Sequence, residues 1–199
     1  MNIPISLILF RLVLAPIILA LAYFIGESSK TTIVILMYLG LVSDILDGII
    51  ARKQNISSEK LRRMDSQTDM IFWLSIGFAT WMLYPKLISD NAIVIWTILG
   101  IEVACYIISY IKFKKQPCTH SFLSKLWGLT LLVAFTSLIG FNYAGILFVM
   151  AIIMGLISQL DIILITLILP KWTHDIPSAY HAYLIRKGIK FKRNEYLNG

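Results

Sequence analysis

Six runs of apolar residues set the pattern of the chain: Ile3 to Ile25, Thr31 to Ile50, Met70 to Leu83, Ala92 to Ile111, Leu126 to Phe141 and Gly145 to Leu169. A helix needs about 20 such residues to cross the hydrocarbon core of a bilayer. The pattern therefore predicts an all-α polytopic membrane protein with six transmembrane helices. Between Phe141 and Gly145 the connection is no more than a short hinge. From Met1 to about Arg11 polar and apolar positions alternate, which suits a short N-terminal interfacial helix before the first span proper. Pro16 is placed to kink that span. The first run has no basic start and no small-residue cleavage site, so it reads as a retained helix rather than a signal peptide. Pro170 ends the last helix ahead of a basic cytoplasmic tail, 171–199. With no internal repeat and no low-complexity tract, residues 1–199 read as one membrane domain.

Composition narrows the class. Of 199 residues, 58% are hydrophobic and 15% charged, with mean hydropathy +0.78. Soluble domains carry about 25% charged residues, so an ordinary cytosolic globule and a disordered chain are both excluded. Eighteen Lys and Arg against eleven Asp and Glu give a net charge of +7. In a soluble protein that balance raises the question of nucleic acid; here it reads as topology and attraction to anionic lipid, with no nucleic-acid partner. Fifteen of the eighteen bases fall on one side. Arg52, Lys53, Lys60, Arg62 and Arg63 follow the second span; Lys112, Lys114, Lys115 and Lys125 follow the fourth; Lys171, Arg186, Lys187, Lys190, Lys192 and Arg193 lie in the tail. Lys30 and Lys86 are on the other side. By the positive-inside rule both termini face the cytoplasm, in a multi-pass protein of the cell membrane. Cys105 and Cys118 carry neither metal nor disulfide spacing.

The chemistry is concentrated in the acids. Four of the eleven fall within 26 residues, Asp44 and Asp47 three apart at the end of the second span, Asp65 and Asp69 four apart at the start of the third. Those spacings put each pair on one helical face. Two antiparallel neighbours joined by a cytoplasmic loop bring the pairs together, and four like charges at close range repel. One or two divalent cations remove the difficulty, and an oxygen-only donor set favours Mg²⁺ or Mn²⁺. Any one of these aspartates alone reads as a charge solvating a helix end or pairing with Arg52, Arg62 or Arg63. Four in paired spacing at a membrane boundary, where charge is costly, read as a site. Beside Asp47, the small residues Gly48 and Ala51 leave a gap for a planar or phosphate-bearing ligand, as they would for helix packing. Arg52 is placed to meet a phosphate bidentately.

The stretch resembles the signature of the CDP-alcohol phosphotransferases, D-x2-D-G-x2-A-R-x8-G-x3-D-x3-D. Asp44, Asp47, Gly48, Ala51, Arg52, Asp65 and Asp69 are in register, seven of the eight fixed positions. Leu61 stands where the pattern has its second glycine, a side chain expected to crowd the nucleotide or shift the third helix. The resemblance implies transfer of a phosphoalcohol from a CDP-linked donor, CDP-diacylglycerol or another CDP-alcohol, to a small alcohol acceptor with release of CMP. It implies that Asp44, Asp47 and Asp65 ligate metal, two ions of Mg²⁺ or Mn²⁺, and that Asp69 completes the site and acts as general base. It further implies that Gly48, Ala51 and Arg52, with Asp44, Asp47 and Asp65, line the CDP pocket. A site at the cytoplasmic face and a homodimer belong to the same expectation.

The acceptor is written less plainly. Asn2-Ile3-Pro4, then Leu7 to Arg11 and Pro16, is similar to the opening of the bacterial phosphatidylglycerophosphate synthases, a branch of that family, which implies glycerol 3-phosphate. That branch carries an Arg-Glu pair on the fourth span, where this chain has Ile101-Glu102. Lys112, Lys114, Lys115, His120 and Lys125 cluster where they could grip an acceptor phosphate instead, Lys125 beside Ser124 foremost and Lys112 next; taken singly the lysines read as positive-inside residues and His120 as a loop residue. Serine, inositol phosphate or another alcohol remains the alternative. Glu102 and Asp161 lie inside apolar runs, so each is protonated, paired or turned to a polar cavity. Glu102 reads as lining near the acceptor, and Asp161 as bonding to Ser158 or a neighbouring helix. Two other classes compete. An aromatic prenyltransferase needs a second aspartate-rich motif, which Asp161 alone does not supply; a small transporter needs acids near the midplane with a repeat partner.

Overall fold

Each apolar run forms the body of a helix in the computed structural model, which describes residues 3–54, 56 and 58–189. The order is α1 (Ile3–Phe24), a 3₁₀ turn (Gly26–Ser29), α2 (Lys30–Lys53), α3 (Glu59–Leu83), α4 (Pro85–Asp90), α5 (Ala92–Phe113), α6 (Phe122–Phe141), α7 (Ile146–Ile168) and α8 (Ala179–Arg186). There is no strand among the described residues. Five helices, α1, α2 with its preceding turn, α5, α6 and α7, are long and apolar enough to cross a membrane. The third expected span is not one of these five. α3 has the length, 25 residues, but Lys60, Arg62, Arg63, Asp65 and Asp69 occupy its first turns.

α3 and the first part of α1 differ from the expected pattern. α3 starts eleven residues before Met70, because Ser58 takes an extended conformation and its hydroxyl accepts the Leu61 N–H at 3.2 Å. An N-cap of this kind satisfies a backbone donor that the helix cannot, so the helix needs no apolar residue at its start. α1 runs unbroken from Ile3 to Phe24, past Arg11 and Pro16, with no separate interfacial helix. Arg11, midway along it, is 1% exposed and turned toward α2 and α3. Met1 and Asn2 lie outside the described residues, as do Lys190, Lys192 and Arg193 of the tail.

The contacts divide the chain into two compact units. One comprises the chain up to Ala92 together with Leu131–Val149. Its core joins Leu14, Ile18 and Ala22 of α1, Ile33 and Met37 of α2, Phe72, Ile76, Ala79 and Leu83 of α3, and Leu132 and Ile139 of α6. α2 meets α3 closely at Gly40, where a Cβ would collide with the Phe72 ring. Trp73 stacks on Phe135 with ring centroids 6.0 Å apart. A smaller cluster of Ile8, Ala51 and Leu61 closes the end of α1, α2 and α3 that carries the aspartates.

The other unit comprises Ile93–Thr130 and the chain from Met150 onward. Within it the Cys105 thiol donates to Gln159 Oε1 at 3.0 Å, and Gly155 admits Trp127 so closely that a Cβ there would lie 2.8 Å from Nε1. The segment after Pro170 is not merely a polar tail. Ile176 and Ala182 pack on Ile165 of α7 and on Leu169 just after it. The Asp175 and Ile176 N–H groups donate to the Cys118 and Thr119 carbonyls at 3.2 and 2.7 Å. Apolar residues at 176, 179, 182 and 185 recur every third position and carry α8 onto that surface.

Candidate active site

The predicted meeting of the two aspartate pairs takes place around a fifth residue. Asp44 and Asp47 sit near the end of α2, Asp65 and Asp69 in the early turns of α3, and Arg11 reaches them from α1. Arg11 Nη1 is 2.6 Å from Asp44 Oδ1, and Nη2 is 3.2 Å from Asp47 Oδ2 and 2.5 Å from Asp65 Oδ1. Nε is 3.0 Å from Asp69 Oδ1. A planar guanidinium with donors on three nitrogens can serve several carboxylates at once, which an ammonium cannot. Arg62 adds a second base, Nη1 being 3.9 Å from Asp65 Oδ2.

The four acids are not equivalent. The side chains of Asp47 and Asp65 are 3% and 5% exposed, whereas those of Asp44 and Asp69 are 34% and 30% exposed, so the cluster opens on the side of the latter two. One carboxylate oxygen from each of Asp44, Asp47 and Asp65 lies within 4.8 Å of the others, and Asp69 is not part of that close triad. Three buried or half-buried carboxylates on rigid helices make an all-oxygen donor set that fits a hard divalent cation. Four carboxylates against two buried guanidiniums, those of Arg11 and Arg62, leave an excess of negative charge that such a cation would neutralise.

The neighbouring residues of the motif fall on the same helix ends. Gly48 is buried, and a Cβ there would lie 3.2 Å from Arg52 Nη1, so the Arg52 guanidinium lies over the bare backbone of Gly48. Ala51 is 1% exposed and packs with Ile8 and Leu61. Leu61 itself is 8% exposed, its bulk turned into that packing. The acceptor residues proposed from sequence are in the other unit. Lys112 Nζ donates to the Thr166 and Leu167 carbonyls at 3.0 and 2.6 Å, where a cation suits the C-terminal end of α7. Lys125 is half-buried in the first turn of α6, and Glu102 half-buried on α5, one turn before Cys105. Asp161 accepts the Ala179 N–H at 2.9 Å and makes no hydrogen bond to Ser158.

Arg11 is the residue that the sequence reading passed over. Its signal was present: a lone base inside an apolar run must find a counter-charge. Against this geometry the comparison with known proteins is decisive. A family model described as CDP-alcohol phosphatidyltransferase matches residues 1–157. The chain belongs to the CDP-alcohol phosphatidyltransferase family. It is accordingly an enzyme, a phosphatidyltransferase, and the aspartate motif in register with the family signature is the one gathered around Arg11. A CDP-diacylglycerol--glycerol-3-phosphate 3-phosphatidyltransferase of Aquifex aeolicus (strain VF5) is 31% identical over 180 residues, covering 86% of this chain and 92% of that protein. No solved structure matches this phosphatidyltransferase.

Proposed function

We propose that this enzyme moves the phosphatidyl group of CDP-diacylglycerol to glycerol 3-phosphate, releasing CMP, at the cytoplasmic face of the cell membrane. The observation that carries the acceptor is the 31% identity, over most of both chains, to a relative whose name specifies glycerol 3-phosphate. A lipid donor explains why the site belongs among apolar helices: the acyl chains stay in the bilayer while the head group meets the aspartates. In this reading α3 is the third of six spans, residues 1–199 form one membrane domain with both termini cytoplasmic, and two copies associate as a homodimer.

Asp44, Asp47, Asp65 and Asp69 would hold Mg²⁺ or Mn²⁺, two ions in the full site. Bound there, divalent ions supply neutralisation of charge on the pyrophosphate and on the departing CMP. Arg52, lying over Gly48, is placed to grip a phosphate oxygen as a fork, with Ala51 completing the nucleotide side. Asp69 takes the proton of the acceptor hydroxyl as it attacks in line. Its partial exposure supports that role, because a base must be reachable from where the acceptor enters. Lys125, with Lys112, is assigned to the acceptor phosphate, and Glu102 to the lining near the acceptor.

An acceptor screen decides the matter. Membranes containing the protein receive labelled CDP-diacylglycerol and, in turn, glycerol 3-phosphate, serine, inositol or inositol phosphate. Lipid product with glycerol 3-phosphate, together with CMP, is expected; incorporation with serine alone would overturn the acceptor assignment. Absence of CMP in every arm would mean that the donor is another CDP-alcohol or the acceptor an alcohol outside this set.

A further inference from the structure

The guanidinium of Arg11 occupies the space that the metal reading needs. It uses Asp44 Oδ1, Asp47 Oδ2 and Asp65 Oδ1, one oxygen from each member of the close triad, and adds Asp69 Oδ1. It is 1% exposed and comes from a different helix than any of its partners. A cation that took these same oxygens would take three of the four contacts that hold Arg11 in place. We propose that Arg11 is a resident counter-cation of the aspartate cluster that divalent metal displaces, so that guanidinium and metal are alternative occupants of the same oxygens.

Charge and access agree with that exchange. Without metal, Arg11 is the base that spans both pairs and keeps Asp47 and Asp65, buried on α2 and α3, from facing each other uncompensated. Breaking a buried ion pair from one side is costly, because the charge left behind has no partner and little water. An incoming ion meets Asp44 and Asp69 first, on the open side, and can replace the guanidinium stepwise rather than all at once. Competition of this kind also tempers metal affinity, since every ion bound must undo interactions already made.

The proposal rests on the reading that this cluster binds a divalent cation, and Mn²⁺ binding to the full-length protein in nanodiscs tests the two separately. Free Mn²⁺ is read by electron paramagnetic resonance, and melting temperature is followed with and without Mn²⁺; neither readout depends on turnover. For Arg11→Gln, the metal-free protein is expected to melt lower by roughly 5 °C or more. The same variant should bind Mn²⁺ tighter by about tenfold or more, since no charged competitor has to be removed. Saturating Mn²⁺ should close the gap in melting temperature to wild type. A residue that merely braced α1 against α2 and α3 would leave that gap open. Arg11→Lys carries the test if Arg11→Gln fails to fold: a point charge cannot reach four carboxylates, so its Mn²⁺ affinity should lie above wild type by a smaller factor. Wild-type binding with no tightening in either variant overturns the proposal and leaves the metal reading intact. No Mn²⁺ binding by wild type or variants overturns both, whereas binding by the variants alone supports both.

Discussion

Asp69 differs from the other three aspartates in what it can reach. Asp47 and Asp65 are enclosed, and Asp44 shares the close triad with them, whereas Asp69 is outside that triad and 30% exposed. A carboxylate outside the triad yet on the open side of the cluster can meet an incoming hydroxyl. Asp69→Asn keeps the size of the side chain and removes its basicity, so CMP release should fall by at least about a hundredfold. Retention of labelled CDP-diacylglycerol by the purified variant should remain measurable. Full activity in Asp69→Asn would take the base assignment away from this residue. Asp44, Asp47, Asp65 and Asp69 were legible in the sequence because helical spacing of three and four fixes a common face whatever the rest of the fold does. Arg11 was harder to read. Its partners are 33 or more positions away in sequence, and nothing local says which of several distant acids a lone intramembrane base will find.

Helices α3 and α8 show where reading by hydrophobic runs loses elements. The apolar criterion finds the body of α3 but misses its first turns, which are polar, capped by Ser58 and home to the catalytic candidates. It likewise takes everything after Pro170 as tail, although α8 is only eight residues long and owes its place to packing and a single acid. The hydroxyl of Ser178, the residue before α8, shares a hydrogen bond with His181 Nδ1 at 2.9 Å and caps nothing. Asp161, from α7, accepts the Ala179 N–H instead, while its second oxygen is buried with no hydrogen-bond partner among the described residues. The intramembrane acid thus serves as the N-terminal cap of another helix. Losing a cap costs about 1 kcal/mol, which corresponds to roughly fivefold in an opening equilibrium. Hydrogen exchange of the α8 amides should speed up by about that factor in Asp161→Ala. Ser178→Ala should leave it unchanged. Equal exchange in wild type and Asp161→Ala would mean that packing of Ile176 and Ala182 alone holds the helix.

Across the whole molecule, scarcity of charge is what made the sequence informative. Only 15% of residues are charged, so their positions are chosen against the cost of burying them. Fifteen of the eighteen bases follow the second span, the fourth span or the last, and the four aspartates sit beside the first of those basic segments. If that side is cytoplasmic, the carboxylate cluster, a soluble nucleotide product and a phosphorylated acceptor all share one compartment. The consequence can be measured on sealed vesicles, because EDTA does not cross a bilayer. In inverted vesicles supplied with CDP-diacylglycerol and glycerol 3-phosphate, EDTA added outside should abolish CMP release, and excess Mg²⁺ or Mn²⁺ should restore it. In right-side-out vesicles loaded with glycerol 3-phosphate and metal, the same EDTA should leave lipid product formation intact. The opposite pattern would place the aspartates on the other face, and the bases with them. Insensitivity to EDTA in both preparations, with a permeant chelator equally without effect, would mean that Arg11 and Arg62 supply all the positive charge the cluster ever receives.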